Sequence, residues 1–124
     1  MNSKLFLVLR IIFGILLIIF GSNKFLNFMP AGEMPEGVVT YMTALTSTKT
    51  IILVGLIEIL SGLSLVINKF GALMMLILMS VSVNALLFHI NLAPDSMIGA
   101  VLLLIFNILM LYGYREKYQP LLKA

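Results

Sequence analysis

The chain has 124 residues, 61% hydrophobic and 10% charged, with a mean hydropathy of +1.15. That lies far outside the soluble range, where apolar usage is about half and charge about a quarter. The net charge of +3 is carried by basic residues standing singly at the ends of apolar runs, a pattern that speaks for membrane orientation and against a nucleic-acid partner. Without cysteine, intrinsic disulfides, thiol relays, zinc–thiolate sites and iron–sulfur clusters are excluded, so any redox role needs a bound cofactor.

The first apolar run, residues 5–24, is expected to be a membrane span. With Lys4 ahead of it, it also fits a secretory signal, but Arg10 interrupts it and Gly21-Ser22-Asn23-Lys24 offers no small-x-small cleavage site. Residues 25–49 form the one long connection. Pro30, Gly32, Pro35 and Gly37 break it, after which Val38, Val39, Met42 and Leu45 recur at helical spacing opposite Thr40, Thr43 and Ser47. This predicts a short amphipathic helix at the outer interface or over the bundle mouth, where the plainer reading is an interfacial spacer.

Residues 50–68, 71–91 and 96–114 supply three further spans, each near the length that crosses hydrocarbon at about 1.5 Å per residue. The connections at Asn68-Lys69-Phe70 and from Asn91 to Asp95 are so short that successive spans must be antiparallel neighbours. Placing Lys4, Arg10, Lys69, Arg115, Lys117 and Lys123 inside leaves Lys24 and Lys49 outside, so the positive-inside rule gives both ends to the cytoplasm. The expected fold is all-α: a single transmembrane domain over residues 1–124, an integral membrane four-helix bundle.

Span one carries Arg10, Gly14, Leu17, Gly21 and Lys24 on one stripe, and span two carries Gly55, Glu58 and Gly62. The glycines alone are explained by close helix packing. Glu58 is different: near mid-membrane a carboxylate costs about 2.5–3.5 kcal/mol on insertion scales, which surrounding Ile and Leu offset, but it should not face lipid.

Height and side-chain lean decide which polar groups meet. Counting from the inner edge, Arg10 lies at roughly 8 Å, Asn107 at roughly 10, Glu58 at roughly 15, Asn84 at roughly 20, and His89 and Lys24 at roughly 27–28. Helical side chains lean toward their own N-terminus, so Asn84 and Glu58 are expected to converge, with Lys24 and His89 reaching down on them from the outer rim. Arg10 either snorkels to cytoplasmic phosphates or forms a buried ion pair with Glu58. The plain alternatives are a protonated structural tie for Glu58 and a rim position for His89. Asn84 and His89 point about 140° apart on their helix, so both face the interior only where its end is surrounded or unwound.

One histidine excludes an intramolecular bis-histidine haem, and with Glu58 it offers too few ligands for a metal site. No catalytic triad, phosphate loop or metal-helix motif occurs, and the nine methionines, Met74, Met75 and Met79 among them, read as packing and not as copper ligands.

The order of residues from Arg10 to Gly14, Gly21-Ser22-Asn23-Lys24-Phe25, a Pro-containing loop, Glu58 with Gly62, and Asn84 through Phe88-His89 to Leu92-Ala93-Pro94 resembles the DoxX family. The resemblance implies a small four-helix protein of the bacterial inner membrane. It also implies association with quinol oxidase, thiosulfate:quinone oxidoreduction or oxidative-stress complexes, and a recurring polar set of Arg10, Lys24, Glu58, Asn84 and His89.

Three functions compete. A quinone site would use Lys24 or His89 as hydrogen-bond donors and Glu58 and His89 for proton transfer, with Asn84, Asn107 and Arg10 completing the pocket. A transporter would couple a proton on Glu58 to a small lipophilic substrate, although small multidrug transporters carry their carboxylate in the first span, where this chain has Arg10. An assembly subunit would dock redox enzyme subunits without chemistry of its own. Membrane lipid is an expected partner in each case, and a second copy of the chain is a further candidate.

Overall fold

The computed structural model describes residues 2–28 and 32–124; these are 86% helix and contain no strand. The elements are α1 (Ser3–Leu26), α2 (Glu36–Ser47), α3 (Thr50–Ile67), α4 (Gly71–Leu92) and α5 (Ile98–Gly113), with 3₁₀ segments at Pro94–Ser96 and Arg115–Leu122. Pro30 lies outside the described residues.

Local chemistry sets the boundaries. The Asn2 side chain caps α1 by accepting from the backbone N–H of Lys4 at 2.8 Å, and Asn27 ends the helix in the left-handed region, which asparagine tolerates. The turn between α3 and α4 has Asn68 and Phe70 both left-handed, at φ 55° and 62°. Phenylalanine is unfavourable there, so the hairpin is held by what surrounds it.

α1, α3 and α4, of 24, 18 and 22 residues, are long and apolar enough to cross a membrane. α5 has 16 residues and reaches span length only together with Arg115–Leu122, from which it is bent by 76°. The fourth apolar run is therefore a shorter helix than the stretch 96–114 predicts. Its first residues are taken up by the 3₁₀ turn that Pro94 begins.

α1 lies along α3, α3 against α4, α4 against α5, and α5 returns to α1, while α2 rests on α3. Phe13, Leu17, Leu65, Met75, Leu78, Met110 and Tyr114 make the core, with Phe13 stacked on Phe106 at 5.2 Å and Phe6 edge-on to Tyr114 at 5.1 Å. Leu7, Ile15, Leu53, Leu60, Leu73 and Leu102 face outward, whereas Arg10, Glu58, Ser61, Ser82 and Asn107 are buried. Large apolar side chains on the surface over an interior with polar groups suit a chain whose surroundings are lipid.

Asn107 is a tie between α4 and α5. Its Oδ1 accepts from the Ser82 hydroxyl at 2.7 Å and its Nδ2 donates to the Met75 carbonyl at 3.0 Å, all fully buried. Asn107→Leu removes both bonds and strands the Ser82 hydroxyl, at an expected cost of about 1–3 kcal/mol, readable as a lowered midpoint in detergent unfolding. Asn107→Leu with Ser82→Ala should recover part of that loss.

At the same end of the molecule the Tyr114 hydroxyl donates to Asn68 Oδ1 at 2.9 Å and the Tyr118 hydroxyl to the Ala72 carbonyl at 2.7 Å. These bonds fasten the C-terminal 3₁₀ segment to the α3–α4 turn. Burial, with Tyr114 beside it, pushes the Tyr118 phenol up to about 12, so it keeps its proton at neutral pH.

The amphipathic segment is present as α2. Val38 is buried, Tyr41 stacks on Phe88 of α4 at 4.9 Å, and a Cβ on Gly37 would lie 3.2 Å from Leu92. α2 is thus packed onto the ends of α3 and α4 by its own side chains.

Candidate functional site

The site grows from the tightest contact in the molecule, that of α1 with α3. Gly14 faces Gly62 and Gly21 faces Gly55, with both pairs seven residues apart on antiparallel helices. A Cβ on Gly62 would stand 2.5 Å from the Gly14 carbonyl oxygen, and one on Gly21 2.8 Å from that of Gly55. Only hydrogen fits at these positions, which is what the glycine stripes buy in helix approach.

Between and beyond the glycines, the same stripes carry the charges. The Lys24 ammonium lies 2.5 Å from Glu58 Oε1, with the Lys24 side chain 25% exposed and that of Glu58 6%. Opposite leans make this pair: Lys24 tilts down α1 and Glu58 tilts the other way along α3, so two residues offset along the interface meet. Among the described residues Glu58 Oε1 has no hydrogen-bond partner beyond that ammonium contact, and the Ser61 hydroxyl, on the same face and fully buried, has none.

Arg10 neither pairs with Glu58 nor reaches outward. It is 7% exposed, and its Nη1 donates to the carbonyl of Leu65 and, at 3.5 Å, to that of Val66. The last carbonyls of a helix have no partner within it and carry partial negative charge, so a guanidinium leaning away from mid-span finds its acceptors there.

The expected convergence of Asn84 on Glu58 does not occur. Asn84 is exposed, its Nδ2 donates to Ser80 O of its own helix at 2.8 Å, and among the described residues no hydrogen bond joins it to Glu58. It lines a shallow groove of about 250 Å³ with Tyr41, Leu87, Phe88, Asn91 and Leu92. The reason is rotation: the side of α4 turned inward carries Met75, Leu78 and Ser82, and Asn84 lies across from it.

His89 likewise stays apart from Glu58. Its Nδ1 lies 3.3 Å from the Ala93 carbonyl and 3.2 Å from Ser96 Oγ, tying the end of α4 to the following 3₁₀ turn. Asn107 is spent on Ser82 and Met75. Of the six residues singled out in sequence, the structure brings together Lys24 and Glu58. Ser61 was missed, although its place three residues after Glu58 puts it on the same helical face.

The sequence profile of the DoxX family matches residues 5–90, well over half of the chain. The chain belongs to the DoxX family. The matched stretch includes Arg10, Lys24, Glu58, Asn84 and His89, and leaves out Asn107. No curated protein and no solved structure matches the chain.

In this DoxX chain the ion pair is closed on one side and open on the other. Glu58 is walled in by α1, whereas Lys24, in the last turn of its helix, keeps part of its side chain accessible. An ammonium has three donors, and a carboxylate contact uses no more than part of them. The arrangement can offer a hydrogen bond to an incoming oxygen while a fixed countercharge holds the donor in place.

Proposed function

We propose that this DoxX chain is a redox-associated subunit of the bacterial inner membrane in which the Lys24–Glu58 pair receives the polar head of a quinone or a similar lipophilic ring. Partial exposure is the observation that carries this reading: Lys24 is reachable at 25% while its partner is sealed at 6%. A ring carbonyl approaching from the apolar surroundings would accept from Lys24, and Glu58 would keep the ammonium charged and oriented. The bound quinone would supply the two-electron chemistry that a chain without cysteine lacks, with electrons from a redox partner.

The same reading takes α1, α3, α4 and α5 as a four-helix bundle with both ends cytoplasmic. The six against two distribution of basic residues supports that orientation. It places Lys24 at the outer rim, within reach of ligands dissolved in the outer leaflet.

Equilibrium binding of a short-chain quinone to the purified protein tests the site. Lys24→Met is expected to weaken binding by about 10- to 100-fold, the worth of a hydrogen bond from a charged donor, while His89→Ala leaves it unchanged. Equal affinities for wild type and Lys24→Met would remove the proposal.

A further inference from the structure

α4 carries a second stripe that faces away from the helices it packs against. Leu73, Ile77, Ser80, Asn84, Leu87 and Asn91 follow one another at steps of four, three, four, three and four, and all six are exposed. This is the rhythm of a coiled-coil seam, the same one by which α1 meets α3. It runs opposite the buried line of Met75, Leu78 and Ser82, with Tyr41 of α2 bordering only its end at Asn84, Leu87 and Asn91.

Polar groups do not belong on such a line in lipid. Asn84 stands about 12 Å from the end of α4 at Leu92, well within a span. Its Nδ2 is bonded back to Ser80 O, that of Asn91 to Leu87 O, and the Ser80 hydroxyl to Ile77 O. Among the described residues each amide keeps one N–H and its Oδ1 unused, and in hydrocarbon those of Asn84 seek a partner.

We infer that this seam is a homodimer interface, in which α4 packs against α4 of a second copy with Asn84 hydrogen-bonded to its counterpart. The chemistry selects a second copy because an amide complements itself, offering donor and acceptor together. Two copies related by an axis along the membrane normal place their α4 helices parallel, which aligns the seams in register and sets the two Asn84 side chains opposite each other. A single polar residue on an apolar seam is the device that fixes register and pair number in coiled coils. Tyr41, stacked on Phe88, borders the seam on one flank near its end.

The chain has no cysteine, so single cysteines report contacts without background. In native membranes under mild oxidation, Ser80→Cys and Leu87→Cys are expected to form a cross-linked species of twice the chain mass, whereas Ile105→Cys, exposed on α5, is not. In liposomes labelled for energy transfer, Asn84→Leu is expected to weaken self-association by about 5- to 30-fold, the range for an interhelical hydrogen bond in lipid. Among the described residues Asn84 bonds only within its own helix, so this variant should fold, and its helical content and melting midpoint should match wild type. Seam cysteines that cross-link no better than Ile105→Cys would overturn the inference. So would a cross-linked product of another mass, or an Asn84→Leu protein that associates as wild type does.

Discussion

Lys24→Met is expected to destabilise the protein by about 3–5 kcal/mol, because it leaves the Glu58 carboxylate, 6% exposed, without its countercharge inside the α1–α3 interface. The reverse substitution is milder. Glu58→Leu frees an ammonium that is already a quarter exposed and that stands close to the end of α1, where its long stem lets it snorkel toward water. Lys24→Met combined with Glu58→Leu removes both charges and should recover most of the loss, since an apolar pair of similar volume replaces a desolvated ionic one. Unfolding midpoints of the four proteins in one detergent give the cycle, and single losses that add up to the loss of the double variant would show that the pair is not coupled.

Gly62→Leu should be as damaging by a purely steric route. Its Cβ alone would sit 2.5 Å from the Gly14 carbonyl oxygen and 2.7 Å from Ile18 Cγ1, and the backbone of α1 cannot yield without separating from α3 along its length. Overpacking costs about 1–3 kcal/mol in a well-packed core, and separation would also pull Lys24 from Glu58 and Arg10 from the Leu65 carbonyl. Gly99→Leu is the comparison: among the described residues nothing lies within 4 Å of a Cβ at this position in the first turn of α5, so it should be close to neutral. A Gly62→Leu protein with the wild-type midpoint would mean that α1 and α3 are not in close contact.

What could be read beforehand follows from which signals are local. The helices and their antiparallel succession were legible because apolar run length and two very short connections leave little choice. The α1–α3 stripe was legible because glycines and charges recur at steps of three and four. Side-chain lean placed Lys24 in the region of Glu58, but it placed Asn84 and His89 there as well, and the ion pair weighed for Glu58 was that with Arg10.

Rotation about a helix axis is a different matter. α4 has polar residues on both faces, Ser82 on one and Ser80, Asn84 and Asn91 on the other, so its pattern alone does not say which side turns inward. The structure turns Ser82 in to meet Asn107 and leaves Asn84 out. The destination of Arg10 was hidden for another reason: its acceptors are backbone carbonyls, which every residue has and no side-chain pattern announces. α5 begins two residues later than expected because Pro94 opens a 3₁₀ turn before it, and it ends within one residue of the expected bound.

The central claim is that Lys24, held by Glu58, binds a lipophilic ring in the membrane. Native mass spectrometry of the protein released from bacterial membranes tests it most directly. The account predicts one adduct of quinone mass per chain on the wild type and its loss from folded Lys24→Met; a bare wild-type chain, or an adduct equally abundant on both proteins, would contradict it.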